Sequence, residues 1–420
     1  MSLGQTEDSL ALSFVDQEPQ LRYVAQWGQW MRWKESVWLR DNTLETFDRI
    51  RRHVRIEEPK EPMFLKAHVI SAVEKFARAD RRIAATVDQW DAQDELLNTP
   101  NGPVSLQSGL MQDPDPLLYM SKSTLVAPLG KATRWQKFLD EVTGGDVDYQ
   151  QFLQRVIGYC AGGSTHEHAM FFLYGDGGNG KGIFLNAIAA IMGDYAKTAP
   201  METFTASQSD RHPTDMAMLQ GARMVFAQET ESGRAWAESK IKSLTGGDPI
   251  SARFMRQDFF EFVPRFKLLI SGNHMPRLHN VDEAMRRRLY LLPFTRTFKG
   301  KDRDPHLADT LTHEYGGILR WIVEGAIAYE NQGLAPPPIV QDATRIYFEE
   351  EDVFQEWLSE CCVQEAAAYA KPTELFTSYR NYADRMNEPA ETERAFLQRL
   401  KKAGFIRGNS TAKGGRFWQG

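Results

Sequence analysis

A glycine-rich segment at residues 175–182 has the residue types and the spacing of a phosphate-binding loop. Four residues separate Gly175 from the Gly180-Lys181 pair. In this pattern consecutive backbone N–H groups surround phosphate oxygens at the start of a helix, and the lysine contacts the β and γ phosphates. Glycine is needed because a side chain would hold the backbone away from the anion. The segment predicts binding of a nucleoside triphosphate through Gly175, Gly177, Gly178, Asn179, Gly180, Lys181 and Gly182.

The residue after the loop lysine departs from the usual pattern. A serine or threonine normally stands there and ligates Mg²⁺ through its hydroxyl, whereas this chain has Gly182. Water or another side chain must then complete the coordination of Mg²⁺, and we expect weaker Mg²⁺ binding than in a standard loop. We expect this departure to lower the rate of nucleotide turnover more than the affinity for the nucleotide.

Two polar positions follow apolar segments of strand type. Residues 223–227 lead to Glu229 and Glu231, and a carboxylate at the carboxyl end of a buried strand can hold Mg²⁺ and polarise the attacking water. Residues 266–271 lead to Asn273, whose amide can lie between the γ-phosphate and that water. Each position alone is common in turns. The prediction of a hydrolytic site therefore depends on their order: phosphate loop, acid, amide.

The elements needed to position these groups are visible in the hydropathy pattern. The apolar run 170–174 precedes the loop and the amphipathic segment 183–192 follows it, which predicts strand, loop and helix in an α/β domain. Prolines 336–338 cannot continue a helix, so a domain boundary is expected there. We predict an N-terminal domain at 1–110, a helical connector at 111–165, a nucleotide-binding domain at 166–333 and a C-terminal domain at 340–420.

Composition excludes several classes of protein. No apolar stretch approaches the roughly 20 residues of a membrane span and no secretory signal begins the chain, so we expect a cytoplasmic protein without membrane contact. Three cysteines are too few for a disulfide framework, and no zinc-ligand spacing occurs. The four tryptophans between residues 27 and 38 are interpreted as the core of a small domain rather than as a surface for stacking bases.

The net charge of −6 means that any contact with nucleic acid must come from local basic clusters. Seven basic and no acidic side chains lie from residue 394 onward. The preceding pattern predicts three short helices and a hairpin with a glycine-rich turn, which together indicate a winged-helix domain. Its basic residues favour contact with duplex DNA, although winged helices also bind proteins. The candidate DNA contacts are Lys402, Arg407, Lys413 and Arg416.

The segment 171–294 resembles the ATPase domain of superfamily 3 helicases, specifically the helicase part of phage and plasmid primase-helicases and their poxvirus relatives. Five motifs occur in the order of that family, at residues 175–182, 229–231, 242–253, 271–276 and 282–294. Residues 95–109 and 152–159 resemble the domain that precedes this ATPase. We find no primase module, so a stand-alone helicase or the helicase fragment of a longer protein is expected.

The resemblance implies a P-loop ATPase of AAA+ type, with an N-terminal α/β and helical region and a C-terminal winged-helix domain. It implies ATP and Mg²⁺ as ligands. Lys181 would bind the β and γ phosphates, and Asn273 would be the sensor of hydrolysis. Glu229 would act with Mg²⁺ and the water, and Glu231 is the second candidate acid.

The resemblance also implies assembly. Arg288 matches the arginine finger of the family, with Arg287 as second choice, and a finger supplied by a neighbouring subunit makes hydrolysis depend on a homo-oligomer. A ring, commonly a hexamer, is the implied form. Residues 251–262 match the hairpin that projects into the ring channel, where Arg253, Arg256 and Gln257 would contact the phosphates of single-stranded DNA.

The implied activity is that of an ATP-dependent DNA helicase, moving 3′ to 5′ during replication of a phage, plasmid or integrated element in a bacterial host. A partner primase or polymerase, and duplex origin DNA at the winged helix, fit this role. Two other functions remain open: an origin-binding initiator or loader, and a nucleotide-binding scaffold that turns over little ATP because of Gly182. The retained Glu229 and Asn273 favour hydrolysis over the scaffold.

Overall fold

A computed structural model of the chain describes residues 6–59, 61–206, 214–228, 234–255, 258–278, 282–365, 368–386, 390–410 and 415–420. Its α-helices are α1 Glu7–Gln17, α2 Glu45–Glu57, α3 Ala67–Ala79, α4 Thr133–Thr143, α5 Val147–Ala161, α6 Lys181–Met192, α7 Thr214–Ala217, α8 Glu238–Gly246, α9 Glu283–Arg286, α10 Leu307–Thr312, α11 Tyr315–Gln332, α12 Pro338–Glu350, α13 Val353–Cys361, α14 Pro372–Arg385 and α15 Glu393–Lys402.

Within the described residues, the strands are short and form five separate sheets. In chain order they are β1 Leu21–Val24, β2 Gln29–Lys34, β3 Val37–Arg40, β4 Ala84–Ala85, β5 Leu96–Thr99, β6 Gly102–Ser105, β7 Met170–Tyr174, β8 Ala196–Thr198, β9 Met224–Gln228, β10 Ile250–Ala252, β11 Phe260–Phe262, β12 Lys267–Gly272, β13 Leu289–Pro293, β14 Tyr369–Ala370, β15 Ile406–Ser410 and β16 Gly415–Gln419.

The N-terminal part of the chain is a small α/β unit. Helices α1, α2 and α3 share one core with a sheet of order β3-β2-β1-β4. Trp30 and Trp38 lie in buried positions, 6% and 1% exposed. Trp38 also donates a hydrogen bond from its indole nitrogen to the Pro116 carbonyl oxygen at 2.9 Å. The interpretation of these two tryptophans as core residues is therefore confirmed.

The centre of the molecule is a five-stranded parallel sheet of order β13-β7-β12-β9-β8. Alternate side chains of β7 enter two different cores, because Phe171 and Leu173 face α4, α5 and α11, whereas Met170 and Phe172 face α8. Strands buried on both faces are continuous apolar runs, and this explains why β7, β9 and β12 were recognisable in the sequence. The predicted α/β architecture with a parallel sheet is confirmed.

The predicted helical connector shares its core with this sheet. Helix α5 packs along α11, and one continuous apolar cluster joins α4 and α5 to β7, α6 and α11. Two buried cations fix the carboxyl end of α5 to the sheet: Arg223 donates to the Ala161 carbonyl oxygen at 2.9 Å, and Lys267 donates to that of Gly162 at 2.5 Å. The connector is thus held rigidly against the strands that carry the candidate site.

Glycines allow α5 and α11 to approach closely. A Cβ atom on Gly158 would lie 2.1 Å from the backbone nitrogen of Ala326. We therefore expect Gly158→Ala to lower the free energy of unfolding by about 1–3 kcal/mol, because the helices must separate to admit the methyl group. Urea unfolding would measure the change. Gly182→Ala is the control, since a Cβ there meets nothing within 4 Å, and equal stability of both variants would contradict this packing.

The C-terminal region divides at a different residue from the one predicted. Helix α12 packs against β13 and adds Tyr347 and Phe348 to the core of the parallel sheet. The unit with its own core therefore begins at α13 rather than at residue 340. It contains α13, α14 and α15 and a sheet of order β14-β16-β15, as the pattern of three helices and a hairpin predicted.

Among the described residues, no helix has both the length and the apolar character needed to cross a bilayer.

Candidate nucleotide-binding site

The glycine-rich loop connects the end of β7 to the start of α6, as predicted. Lys181 is the first residue of α6 and is only 7% exposed. Its ammonium group donates hydrogen bonds to the Gly175 carbonyl oxygen at 2.5 Å and to Asn179 Oδ1 at 3.2 Å. Burial lowers the pKa of Lys181, while the nearby Asp176 carboxylate acts in the opposite direction. An anionic phosphate would relieve the cost of burying this charge.

The structure brings Lys181 and Asn273 together. Strand β12 lies directly beside β7 in parallel register, with Gly272 opposite Tyr174. Asn273 follows β12, and its Oδ1 atom accepts a hydrogen bond from Lys181 Nζ at 3.3 Å. The cation that would hold the terminal phosphates and the amide that would orient water therefore lie at the same sheet edge.

The loop is braced by the segment after β13. Asn179 is buried, and its Nδ2 atom donates to the Phe294 carbonyl oxygen at 2.7 Å. The sequence analysis treated Asn179 as a nucleotide contact, and the structure shows that it also fixes the loop. A Cβ atom on Gly175 would lie 2.1 Å from the same carbonyl oxygen, so only glycine fits there.

Gly180 must be a glycine because helix α4 packs closely against it. It has a φ of +91°, and a Cβ atom on it would lie 2.7 Å from Val142 and 3.0 Å from Phe138, both on α4. The connector helix α4 thus packs directly on the loop. Gly177 and Gly182 differ, because a Cβ on either would meet nothing within 4 Å. That open space is where a phosphate-binding loop needs room for its anion.

A cleft of about 620 Å³ extends from the loop. This volume is in the range of pockets that hold cofactor-sized ligands. Sequence reasoning missed its outer wall, which comes from α4 and from the segment after β13, because nothing in a single sequence relates these distant segments. The residues of that wall include Arg134, Phe138, Phe298, Asp304 and Leu307.

The two candidate acids, Glu229 and Glu231, lie outside the described residues. The residue before them, Gln228, ends β9 and lines the cleft beside Ser271 of β12. Parallel strands end at the same edge of a sheet, so β9 terminates where the prediction requires an acid. The assignment of Glu229 as the Mg²⁺ ligand stays a prediction.

The two candidate arginine fingers differ in exposure. Arg288 is 7% exposed, donates from Nε to Thr245 Oγ1 at 3.2 Å and from Nη1 to the Ala284 carbonyl oxygen at 2.8 Å. Burial lowers the pKa of Arg288, and the positive charge of Arg287 acts in the same direction. Arg287 is exposed. Because a finger must reach a neighbouring subunit, the geometry favours Arg287, the second choice from the sequence.

The described candidate DNA contacts lie in the β10–β11 hairpin and in the C-terminal unit. Strands β10 and β11 form the predicted hairpin, where the Arg253 guanidinium lies 4.8 Å from the centre of the Phe259 ring and Met255 is 70% exposed. Arg256 and Gln257 lie outside the described residues. In the C-terminal unit Lys402, Arg407 and Arg416 are exposed, whereas Lys413 is outside the described ranges.

The centre of this protein is a parallel α/β domain in which a glycine-rich loop joins a central strand to a helix. Two family models match the chain. The model described as D5 N terminal like matches residues 12–144, and a family of unknown function, DUF5906, matches residues 173–288. The chain has the D5 primase-helicase architecture, which agrees with the resemblance seen in its motifs.

Curated relatives include proteins of large DNA viruses. The chain is 24% identical over 299 residues to "Putative helicase L207/L206" of Acanthamoeba polyphaga mimivirus, with 65% of this chain and 31% of the relative covered. It is 24% identical over 311 residues to "Putative helicase 022R" of Frog virus 3 (isolate Goorha), with 69% and 32% covered. The chain thus spans about a third of the length of these relatives.

A solved structure of the C-terminal region of NrS-1 is similar in fold. The TM-score is 0.53 at 9% sequence identity, and the match covers 99% of this chain and 100% of that one. At this identity the likeness concerns the fold alone. It extends over nearly the whole chain, including the unit that follows the parallel sheet.

Proposed function

We propose that the chain is an ATP-dependent DNA helicase of superfamily 3, built on a P-loop ATPase domain of AAA+ type. The observation that carries this proposal is the 3.3 Å contact between Lys181 Nζ and Asn273 Oδ1 at the carboxyl ends of adjacent strands. Because β12 lies between β7 and β9, we expect the Asn273 amide to lie between the phosphate loop and the acid that follows β9. Relatives named as helicases support the same activity.

In the proposed reaction Lys181 leaves its loop carbonyls and binds the β and γ phosphates of ATP. Asn273 orients the attacking water, and Glu229 polarises it, with Glu231 as the second candidate. Bound Mg²⁺, held by Glu229, would neutralise charge on the phosphates. The cleft wall on α4 excludes water from one side of the nucleotide, which strengthens the electrostatic contacts within the site.

Gly182 allows a direct test of the Mg²⁺ site. Since a Cβ atom there meets nothing within 4 Å, Gly182→Thr should supply the missing hydroxyl ligand. We expect the Mg²⁺ concentration for half-maximal ATP turnover to fall by about three- to tenfold, or ~0.7–1.4 kcal/mol. Gly182→Val has nearly the shape of threonine without a hydroxyl and should leave the Mg²⁺ requirement unchanged. The same shift in both variants would show that a missing ligand is not the cause.

The translocating form is proposed to be a homo-oligomeric ring, commonly a hexamer. Arg287 would act in the site of the next subunit, which requires a head-to-tail interface that closes. The β10–β11 hairpin would contact single-stranded DNA through Arg253, Arg256 and Gln257 without reading sequence. We also propose that the ring moves 3′ to 5′ along single-stranded DNA and that it acts with a partner primase or polymerase.

A strand-displacement assay tests this function. A partial duplex with a single 3′ tail should be unwound in the presence of ATP. The same duplex with a single 5′ tail, or with a non-hydrolysable ATP analogue in place of ATP, should not be unwound. Gly182 is the observation that favours a second candidate, a loader or nucleotide-binding scaffold with little turnover. Tight ATP binding with no displacement of either substrate would support that candidate and overturn the helicase.

A further inference from the structure

An open groove runs between α15 and the β15–β16 hairpin of the C-terminal unit. It encloses about 800 Å³. Its floor is apolar, with Leu397 from α15 and Phe405 and Trp418 from the hairpin side, and Ile406 lies at its margin. Trp418 is 6% exposed, but Ile406 is 71% exposed. An apolar side chain that covered Ile406 would gain stabilisation from the surface removed from water.

The rim of this groove carries three basic side chains and one acidic side chain, Glu393, so its net charge is positive. Arg394, Lys401 and Arg407 are exposed, and none has a hydrogen-bond or ion-pair partner within the part of the chain that the structure describes. A nearby arginine shows the contrast, because Arg399 is paired with Asp352 and Glu391. The three rim cations are therefore available to a ligand.

The positions of the rim cations follow from the elements that bear them. Arg394 and Lys401 are seven residues apart on α15, which is two turns, with Leu397 between them on the same face. Arg407 lies opposite Trp418 in the β15–β16 ladder, so the two side chains share one face of the sheet. Ile406, the residue before Arg407, points to the opposite face of the sheet and meets the groove at its margin.

The shape and chemistry of the groove favour a peptide over duplex DNA. A helix that reads bases must protrude into the major groove, and phosphates are charged and hydrated. Neither would cover the apolar side chains Leu397 and Ile406 that line the groove. A peptide with apolar anchor side chains and flanking carboxylates satisfies both features, since the anchors fill the floor and the carboxylates meet the rim.

We propose that this groove is a docking site for an acidic segment of a partner protein that carries at least one aliphatic or aromatic anchor. Docking needs no nucleotide, so it can be measured independently of ATP hydrolysis. The groove recruits the partner to the C-terminal unit and leaves the β10–β11 hairpin free. Its affinity falls with added salt, because the rim charges are solvent-exposed.

The experiment uses the full chain and a dye-labelled peptide of four aspartates followed by leucine and phenylalanine, with fluorescence anisotropy as readout. We expect saturable binding that Lys401→Glu and Ile406→Ser each weaken at least tenfold. A second peptide, with serines in place of leucine and phenylalanine, should bind at least tenfold more weakly. Arg416→Ala is the control variant, since Arg416 is an exposed cation of the same hairpin that does not line the groove.

Two results would overturn the proposal. Binding that depends on Lys401 but is indifferent to Ile406→Ser and to the serine peptide would mean a general attraction of charge rather than a groove. Absence of peptide binding, together with binding of a labelled duplex that Lys401→Glu and Arg416→Ala weaken equally, would assign the face to DNA. Circular dichroism spectra identical to that of the unmodified chain would show that each variant is folded.

Discussion

Replacement of Lys181 by alanine is expected to reduce ATP turnover by at least about 10²–10³-fold, the loss typical when a preorganised donor to a developing charge is removed. The ammonium group is buried at the start of α6 and contacts Asn273, and residues 175–182 contain no second basic side chain to replace it. Turnover would be measured as phosphate release under saturating ATP and Mg²⁺. Unwinding should be lost together with turnover.

A matched control separates loss of chemistry from loss of structure. Lys197 on β8 is exposed and does not line the cleft. Lys197→Ala should retain full turnover, and Lys181→Ala should keep the far-ultraviolet circular dichroism spectrum of the unmodified chain. Turnover in Lys181→Ala within a few-fold of the unmodified chain would contradict the assignment of the loop as the phosphate site.

Substitution of Arg287 by alanine is expected to lower turnover by about 10³–10⁵-fold, the range known for arginine fingers. The structure supports this position because Arg287 is exposed, whereas Arg288 is bonded to Thr245 and Ala284. Binding of ATP should be unchanged, since a finger acts on transition-state charge in another subunit. Arg286→Ala is the control, because its guanidinium lies over the Phe348 ring of its own subunit, 5.1 Å from the ring centre.

Mixing two inactive variants tests whether the finger acts between subunits. In a mixed ring, an Arg287→Ala subunit supplies an intact Lys181. A neighbouring Lys181→Ala subunit supplies an intact Arg287, so the site between these two subunits is complete. In rings assembled from equal amounts, about one junction in four (½ × ½) has both groups, so about a quarter of the normal turnover should return. No recovery on mixing would contradict a shared site. Recovery with Arg288→Ala in place of Arg287→Ala would restore the first choice made from the sequence.

The centre of the fold was predictable because its signals are local. A fully buried strand must be a short apolar run, and a phosphate loop must be rich in glycine, so β7, the loop and α6 were recognised from adjacent residues. The meeting of Lys181 and Asn273 was also foreseeable, since parallel strands present their carboxyl ends at one edge. The pairing order of β7, β12 and β9 was not, because it depends on contacts between distant segments.

The parts that sequence reasoning missed depend on long-range packing. Prolines 336–338 indicated a domain boundary, yet α12 after them packs on β13 through Tyr347 and Phe348. Gly180 was attributed to phosphate binding alone, but α4 also requires it. The burial of Arg288 follows from its contact with Thr245, some 40 residues away in the chain. None of these relations leaves a pattern in a single sequence.

The most direct test of the central claim is ATP turnover, with and without single-stranded DNA, in fractions of the chain separated by size. The proposed motor predicts turnover that rises when DNA is added and that elutes with a ring-sized oligomer. Binding of ATP without turnover in every fraction, with DNA present, would contradict a motor and favour the loader or scaffold.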